Sequence, residues 1–221
     1  MKVSLILACA GKGERAGFEK NKLLIETNGK TVLETTISAF IESDKIDEFV
    51  ITASKFDFET VKGIVPDYCK VVYGGATRTD SVLNGLESVT SDLVLIHDGA
   101  RPFVSSQLIE RVIDGALEFG GCIPVVPCRD TMIKGEEFAT DYLGKGGLYA
   151  VQTPQAFQTS LIKRAYACAQ GKTFNDDGEV FKEYIGKLKL VEGDFANVKL
   201  TFKQDFPPPN TVSGSGLTAT V

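Results

Sequence analysis

The sequence predicts an α/β protein: a Rossmann-like, mostly parallel sheet with helices on both faces and a projecting β-arm. Three observations carry this. Short apolar runs alternate with segments of helical periodicity, the pattern of strands joined by crossover helices. The first run, Val3-Ser4-Leu5-Ile6-Leu7-Ala8, opens into a loop of small residues and cations from Cys9 to Lys22. Two later strand ends are also loaded, Gly74-Gly75-Ala76-Thr77-Arg78 and His97-Asp98-Gly99-Ala100-Arg101-Pro102. In parallel sheets ligands lie beyond the strand C-termini, so a site requires these three ends to converge on one edge.

The elements follow in order. Val3–Ala8 is a strand, and Leu23-Leu24-Ile25 leads to a turn at Asn28-Gly29-Lys30. Thr31–Glu42 is a helix with Val32, Leu33, Thr36, Ile37, Phe40 and Ile41 at helical spacing, opened by a Thr31/Glu34 capping box. Glu48–Ala53 and Val71–Tyr73 are strands. Asp80–Ser88 is a helix with Val82, Leu83 and Leu86 inward, and Leu93–Ile96 is a buried strand. Ser106–Phe119 is a helix (Leu108, Ile109, Val112, Ile113, Leu117) ending at Gly120-Gly121, before the strand Cys122–Val126. Asp130–Val151 is polar, rich in glycine and too long for an ordinary connection, which points to a projecting β-arm or a surface loop. Ser160–Ala169 is a helix, and Leu188–Glu192 and Asn197–Thr201 are closing strands. The Pro-rich tail 207–221 has the composition of a disordered segment. One domain, 1–206, is expected.

The first loop is a phosphate site by composition. Small residues let backbone N–H groups approach an anion, and cations neutralise what the amides cannot. A P-loop needs a Gly-Lys-Ser/Thr that does not follow here. Gly11-Lys12-Gly13-Glu14-Arg15-Ala16 fits the relaxed dinucleotide fingerprint, but that loop must open directly into a helix, and this one runs on through Lys22. The wide spacing from Arg15 to Lys22 suits a nucleotidyltransferase loop wrapped around three phosphates. A plain Gly-rich turn with solvated cations stays open.

At 221 residues the chain can bury roughly 70% of its unfolded surface. Net charge is −5, from 24 Lys+Arg against 29 Asp+Glu, which argues against nucleic-acid and membrane-surface partners. No apolar run approaches the roughly 20 residues of a membrane span, and a strand rather than a signal peptide stands first, so a cytoplasmic protein is expected. Cys9, Cys69, Cys122, Cys128 and Cys168 form no C-x-x-C pair. Cys122 and Cys128 flank an extended run spanning about 20 Å and cannot share a metal. Small buried hydrophobes is the reading of these cysteines. His97, the only histidine, reads as structural.

Six motifs occur in series: Leu7–Arg15 with Lys22; Gly74-Gly75-Ala76-Thr77-Arg78-Thr79-Asp80-Ser81-Val82; His97–Pro102; Arg129-Asp130-Thr131; Thr153-Pro154-Gln155-Ala156-Phe157; and Val191–Asp194 with Asn197–Thr201. In order and spacing they resemble the 2-C-methyl-D-erythritol 4-phosphate cytidylyltransferase family over residues 2–206. The sister ribitol 5-phosphate family shares most of them. Asp130-Thr131-Met132 favours the methylerythritol branch.

The resemblance implies a nucleotide-diphospho-sugar transferase-like fold and attack of a phosphomonoester oxygen on the α-phosphorus of CTP, releasing pyrophosphate. It implies catalytic roles for Arg15, Lys22 and Lys199. It places Ala8, Ala10, Gly11, Gly13, Gly75, Ser81, Asp98 and Gly99 on the nucleotide, and Arg101, Thr131, Lys145 and Thr153 on the polyol phosphate. It also implies Mg²⁺ brought with CTP, with Asp98 as its protein contact, and a homodimer with exchanged arms that bring Lys145 to the partner's acceptor site. Departures are Cys9, Ala16, Asn21 and Leu23 around the first loop, Ala76 where Asp is typical, Gly99 where Ala is common, and Lys145 for an arginine. The C-terminal helix is replaced by the Pro-rich tail. Ala76 and the altered loop flanks leave a catalytically weak nucleotide-binding homologue as the alternative of another class.

Overall fold

The computed structural model describes residues 1–206 except 12, 14–16, 19, 145 and 170; the tail 207–221 lies outside the described residues, as do Arg15 and Lys145. The sheet is built outward from β1 (Val3–Cys9). Parallel to it on one side lies β4 (Glu48–Ala53), then β5 (Lys70–Tyr73); on the other side lies β6 (Leu93–Asp98). Beyond β6, β11 (Gln155–Gln158) runs antiparallel, and β7 (Gly121–Pro127) runs antiparallel to β11, so β7 recovers the direction of β6. β10 (Tyr149–Val151) pairs the far end of β7, and β12 (Lys189–Glu192) closes the edge in parallel.

The alternation of side chains in β1 feeds two cores. Val3, Leu5, Leu7 and Cys9 point to α1 (Val32–Glu42), α2 (Phe58–Ile64) and α4 (Ser106–Phe119). Ile6 points to the other face, under α3 (Arg78–Glu87), α5 (Thr159–Cys168) and α6 (Asp177–Tyr184). Leu5, Ile6 and Leu7 are all fully buried; each such side chain contributes about 1.5–3 kcal/mol. A β1 without this double-sided apolar run would leave one helix layer unattached.

Capping sets where the helices begin. Thr31 and Glu34 form the expected box, with Glu34 N–H donating to Thr31 Oγ1 at 3.1 Å and Thr31 N–H to Glu34 Oε2 at 2.7 Å. A second box, Thr77 with Asp80, starts α3 at Arg78 rather than at Asp80. Sheet order reverses between β1 and β6, so their C-terminal ends frame the crevice in which doubly wound sheets bind ligands, with Ala8 opposite Asp98.

The arm is shorter than its expected 130–151. β8 (Met132–Gly135) and β9 (Ala139–Leu143) form their own two-stranded sheet, while β10 has joined the main one. A further small hairpin, β2 (Glu26–Thr27) with β3 (Lys30–Thr31), follows a 3-10 turn at Lys22–Leu24.

Several elements differ from expectation. Asn197–Thr201 is not a strand. Side chains take three of its carbonyls: Arg101 donates to Asn197 O, Thr201 Oγ1 to Lys199 O and Lys22 Nζ to Leu200 O. α2, α6 and β11 were not expected. Each is short and carries few apolar residues, so no period stands out, and β11 is a strand because β6 and β7 pair with it. Leu83, Ile41 and Leu117 are exposed. The buried stripe of α4 continues on Gly115 and Ala116, and that of α3 on Gly85 and Leu86. Asp98 lies within β6, whose pairing with Ala8 extends the strand two residues past Ile96.

Candidate active site

The three loaded strand ends converge. Ala8 at the end of β1, Ala10, Gly11, Gly13 and Lys22 from the first loop, Gly74–Thr77 from the β5–α3 turn, Arg78 and Ser81 from α3, Asp98 at the end of β6, Ala100 after it, and Lys199 line one cavity of about 1020 Å³. Ser54–Phe56, after β4, complete the wall. Four cations, Lys22, Lys55, Arg78 and Lys199, face one carboxylate, Asp98, among the described lining residues. In a chain of net charge −5 this is a local concentration of positive charge, suited to an anion.

Close approach explains the glycines. At Gly13 (φ +70) the backbone is left-handed, and an added Cβ would meet Lys22 Cγ at 3.1 Å. At Gly75 it would meet Asp80 Cβ at 2.2 Å, so the turn is drawn hard against α3. Gly75 N–H donates to Ser81 Oγ at 3.1 Å, and that hydroxyl donates to Thr77 O at 2.8 Å.

Asp98 is the electrostatic hub. Lys199 Nζ lies 2.7 Å from its carboxylate, Arg78 Nε 3.3 Å and Arg101 Nε 3.8 Å. Burial acts to raise its pKa, but Lys199, Arg78 and Arg101 outweigh it and hold the carboxyl well below the usual range. Arg78 is anchored from behind by Asp177 at 2.7 Å, and Tyr166 donates its hydroxyl to the same buried carboxylate at 2.6 Å. Against burial, Asp177 and Asp98 push the Arg78 pKa further up, so the guanidinium is a permanent charge. Lys22 Nζ donates to Leu200 O at 2.6 Å, which ties it to the residue after Lys199, and both lysines line the cavity.

His97 supports this from below. Thr153 Oγ1 accepts Asp98 N–H at 3.1 Å and donates to His97 Nδ1 at 3.1 Å, leaving Nε2–H for Arg101 O at 3.0 Å. Both nitrogens are used by a neutral ring, and burial lowers its pKa to about 4. Cys9 is buried and its thiol is pushed up by burial and by Asp98, an unreactive state.

Of the site residues expected from sequence, Lys22, Lys199, Ala8, Ala10, Gly11, Gly13, Gly75, Ser81 and Asp98 meet in the large cavity. Gly99 does not line it: its N–H donates to Ala8 O, its C=O accepts from Thr36, and Cys9 Sγ sits 2.5 Å from where a Cβ would be. Arg101 and Thr153 line a second cavity of about 140 Å³ that shares Arg78, Asp98 and Lys199 with the first. Arg101 donates to Asn197 O at 2.7 Å there. Thr131 is exposed on the arm and lines neither cavity. The sequence named Arg78 only as part of a loaded strand end and assigned nothing to Lys55, Phe56 or Asp177. The strand-end rule could have flagged Lys55 and Phe56, two and three residues beyond β4. No local signal joins Arg78 to Asp177, which lie 99 positions apart.

A doubly wound sheet with a cation-lined cavity at its switch point is the arrangement of an α/β nucleotidyltransferase. The family model for 2-C-methyl-D-erythritol 4-phosphate cytidylyltransferase matches residues 3–211, and the chain belongs to that family. A Clostridium perfringens protein of that name is 41% identical over 213 residues, covering 92% of this chain and 94% of the relative. A crystal structure of the Thermus thermophilus 2-C-methyl-D-erythritol 4-phosphate cytidylyltransferase superposes with a TM-score of 0.77 at 33% identity, covering 93% and 95% of the two chains. That of the Anaerococcus prevotii 4-diphosphocytidyl-2C-methyl-D-erythritol synthase gives 0.79 at 31%, covering 92% and 94%.

Proposed function

We propose that this protein is the cytidylyltransferase that joins CTP to 2-C-methyl-D-erythritol 4-phosphate, giving the CDP-linked methylerythritol and pyrophosphate. The observation that carries this is the placement of Lys22 and Lys199 around Asp98 at the switch point, in a chain of this family. A phosphate oxygen of the acceptor attacks the α-phosphorus of CTP, and the bond to the β-phosphate breaks with its electron pair leaving on pyrophosphate. Catalysis of such a step is positioning plus charge neutralisation. Lys22, with Arg15, holds the triphosphate and the departing pyrophosphate. Lys199 meets the α-phosphate, and Asp98 orients it through their 2.7 Å ion pair. The small cavity beside it, with Arg101 and Thr153, takes the polyol phosphate.

Mg²⁺ fits this site as an ion carried by CTP. One carboxylate, Asp98, faces the large cavity, and no cluster of three His, Cys, Asp or Glu occurs among the described residues. Mg²⁺ characteristically takes one or two carboxylates and the substrate's own phosphates. When bound it neutralises phosphate charge.

Residues 1–206 are proposed as one domain of a cytoplasmic protein; among the described residues no helix is long and apolar enough to cross a membrane. A homodimer with exchanged arms accounts for Met132, Ile133, Phe138 and Tyr142, exposed on a two-stranded ribbon with no core of its own. In such a dimer the partner's arm brings Thr131 and Lys145 to the acceptor phosphate.

The test is pyrophosphate release from CTP with methylerythritol phosphate and with ribitol 5-phosphate, and with ATP or GTP replacing CTP. Turnover with CTP and methylerythritol phosphate is expected, with the purine nucleotides poor substrates. Faster turnover of ribitol phosphate would move the chain to the sister activity, and absence of CTP binding would overturn the reading.

A further inference from the structure

Phe56 is 92% exposed, more than any other large apolar side chain among the described residues, yet it lines the large cavity. An isolated exposed apolar residue on a convex surface needs no explanation. An aromatic ring standing in water on the wall of a nucleotide-sized cavity has an occupant to meet.

Its exposure does not come from a loose loop. Ser54 Oγ donates to Asp57 Oδ2 at 2.7 Å, and Asp57 N–H returns to Ser54 Oγ at 3.1 Å. Asn21, itself buried, donates from Nδ2 to the same Asp57 oxygen at 2.9 Å, and its Oδ1 accepts Leu23 N–H at 3.0 Å. The Phe56 loop is thereby clasped to the segment that presents Lys22. Phe56 stands over the end of β4, between β1, which carries the phosphate loop, and β5, which carries Gly74 and Gly75.

Resting on the CTP reading above, we propose that Phe56 is the stacking surface for the nucleotide's pyrimidine ring, held in place by the Ser54–Asp57–Asn21 clasp. The glycine turn and Ser81 face the base edge; nothing else aromatic lines the cavity among its described residues. A flat base leaving water needs a flat apolar partner, and a phenyl ring supplies its π-face without reading any hydrogen-bonding edge. Phe56 thus contributes affinity for the nucleoside part of CTP, while the cations act on the phosphates.

The chain has no tryptophan, so Phe56→Trp places a single reporter at the wall. CTP is expected to quench its emission saturably, whereas inorganic pyrophosphate, which reaches the cations alone, does not. Phe56→Ala is expected to weaken CTP binding in calorimetry by about ten-fold, the change that one stacked base carries. Pyrophosphate binding and the KM for the polyol phosphate stay at wild-type values, and Phe56→Tyr restores CTP affinity. Circular dichroism checks that all three variants fold. CTP affinity in a folded Phe56→Ala protein equal to wild type would overturn this inference alone. Equal weakening for pyrophosphate would also overturn it, since the loop rather than the ring would then be responsible. A wild-type chain that binds no CTP would overturn the proposed function and this inference with it.

Discussion

The two sides of the switch point differ in kind. On the nucleotide side, at the C-terminal ends of β1, β4, β5 and β6, charged groups find partners within the chain: Asp98 holds Lys199 and Arg78, Asp177 holds Arg78, and Asn21 holds Asp57. On the arm side, among the described residues β8 and β9 pair only with each other, and Met132, Ile133 and Tyr142 are exposed. A lone hairpin is at best marginally stable in water. The first region is organised by electrostatic contacts within the chain; the second is a ribbon that leaves apolar side chains in water.

The largest expected effects break the nucleotide side. Lys22→Ala and Lys199→Ala should each lower kcat by at least about 100-fold, the scale for removing one preorganised charge donor. Both proteins should keep wild-type circular dichroism, because neither side chain belongs to the core. Near-normal turnover in both would show that the chemistry lies elsewhere.

Next comes the arm, where complementation sharpens the contrast. Lys145→Ala should raise KM for the polyol phosphate more than for CTP. Lys22→Ala chains mixed with Lys145→Ala chains should regain part of the activity, since one of two shared sites in a mixed dimer is intact. Ile133→Asp should shift sedimentation from dimer to monomer. A wild-type monomer at working concentration would refute the shared site.

A smaller effect belongs to His97, below both regions. Its folded pKa, about 4, lies below the 6.5 of the unfolded chain. Between those values the unfolded state binds a proton that the folded state refuses, so this contribution to stability is full above pH 6.5 and is lost as pH falls towards 4. Because His97 is the only histidine, the melting temperature of His97→Asn should vary less with pH in that window than that of wild type. Parallel pH profiles would show that the ring is protonated in the fold.

The smallest is Tyr166→Phe, which removes the hydroxyl donated to Asp177. Chemical denaturation should show a loss of about 1.5 kcal/mol, the low end for hydrogen bonds to a charged group. No loss would mean that Arg78 alone satisfies that carboxylate.

The sequence by itself determined the parallel half of the sheet and the three strand ends that meet at the cavity. β1 is legible because a buried parallel strand must be apolar on both faces, and α1 because Thr31 and Glu34 announce its start. Lys22, Asp98 and Lys199 were named through the resemblance of their motifs, and the structure brings all three to one cavity. Only the tertiary structure decided that β11 is a strand, because its four residues are extended by pairing with β6 and β7 rather than by a pattern of their own. It also decided that Asn197–Thr201 is not one, because Arg101 and Lys22 reach its carbonyls from far along the chain. Arg78 with Asp177, and Phe56 on the cavity wall, are decisions of the same kind. Periodicity and capping act over a few residues and are written locally. A side chain's partner or exposure is set by what folding brings beside it, and for Arg78 and Asp177 that neighbour is 99 residues away.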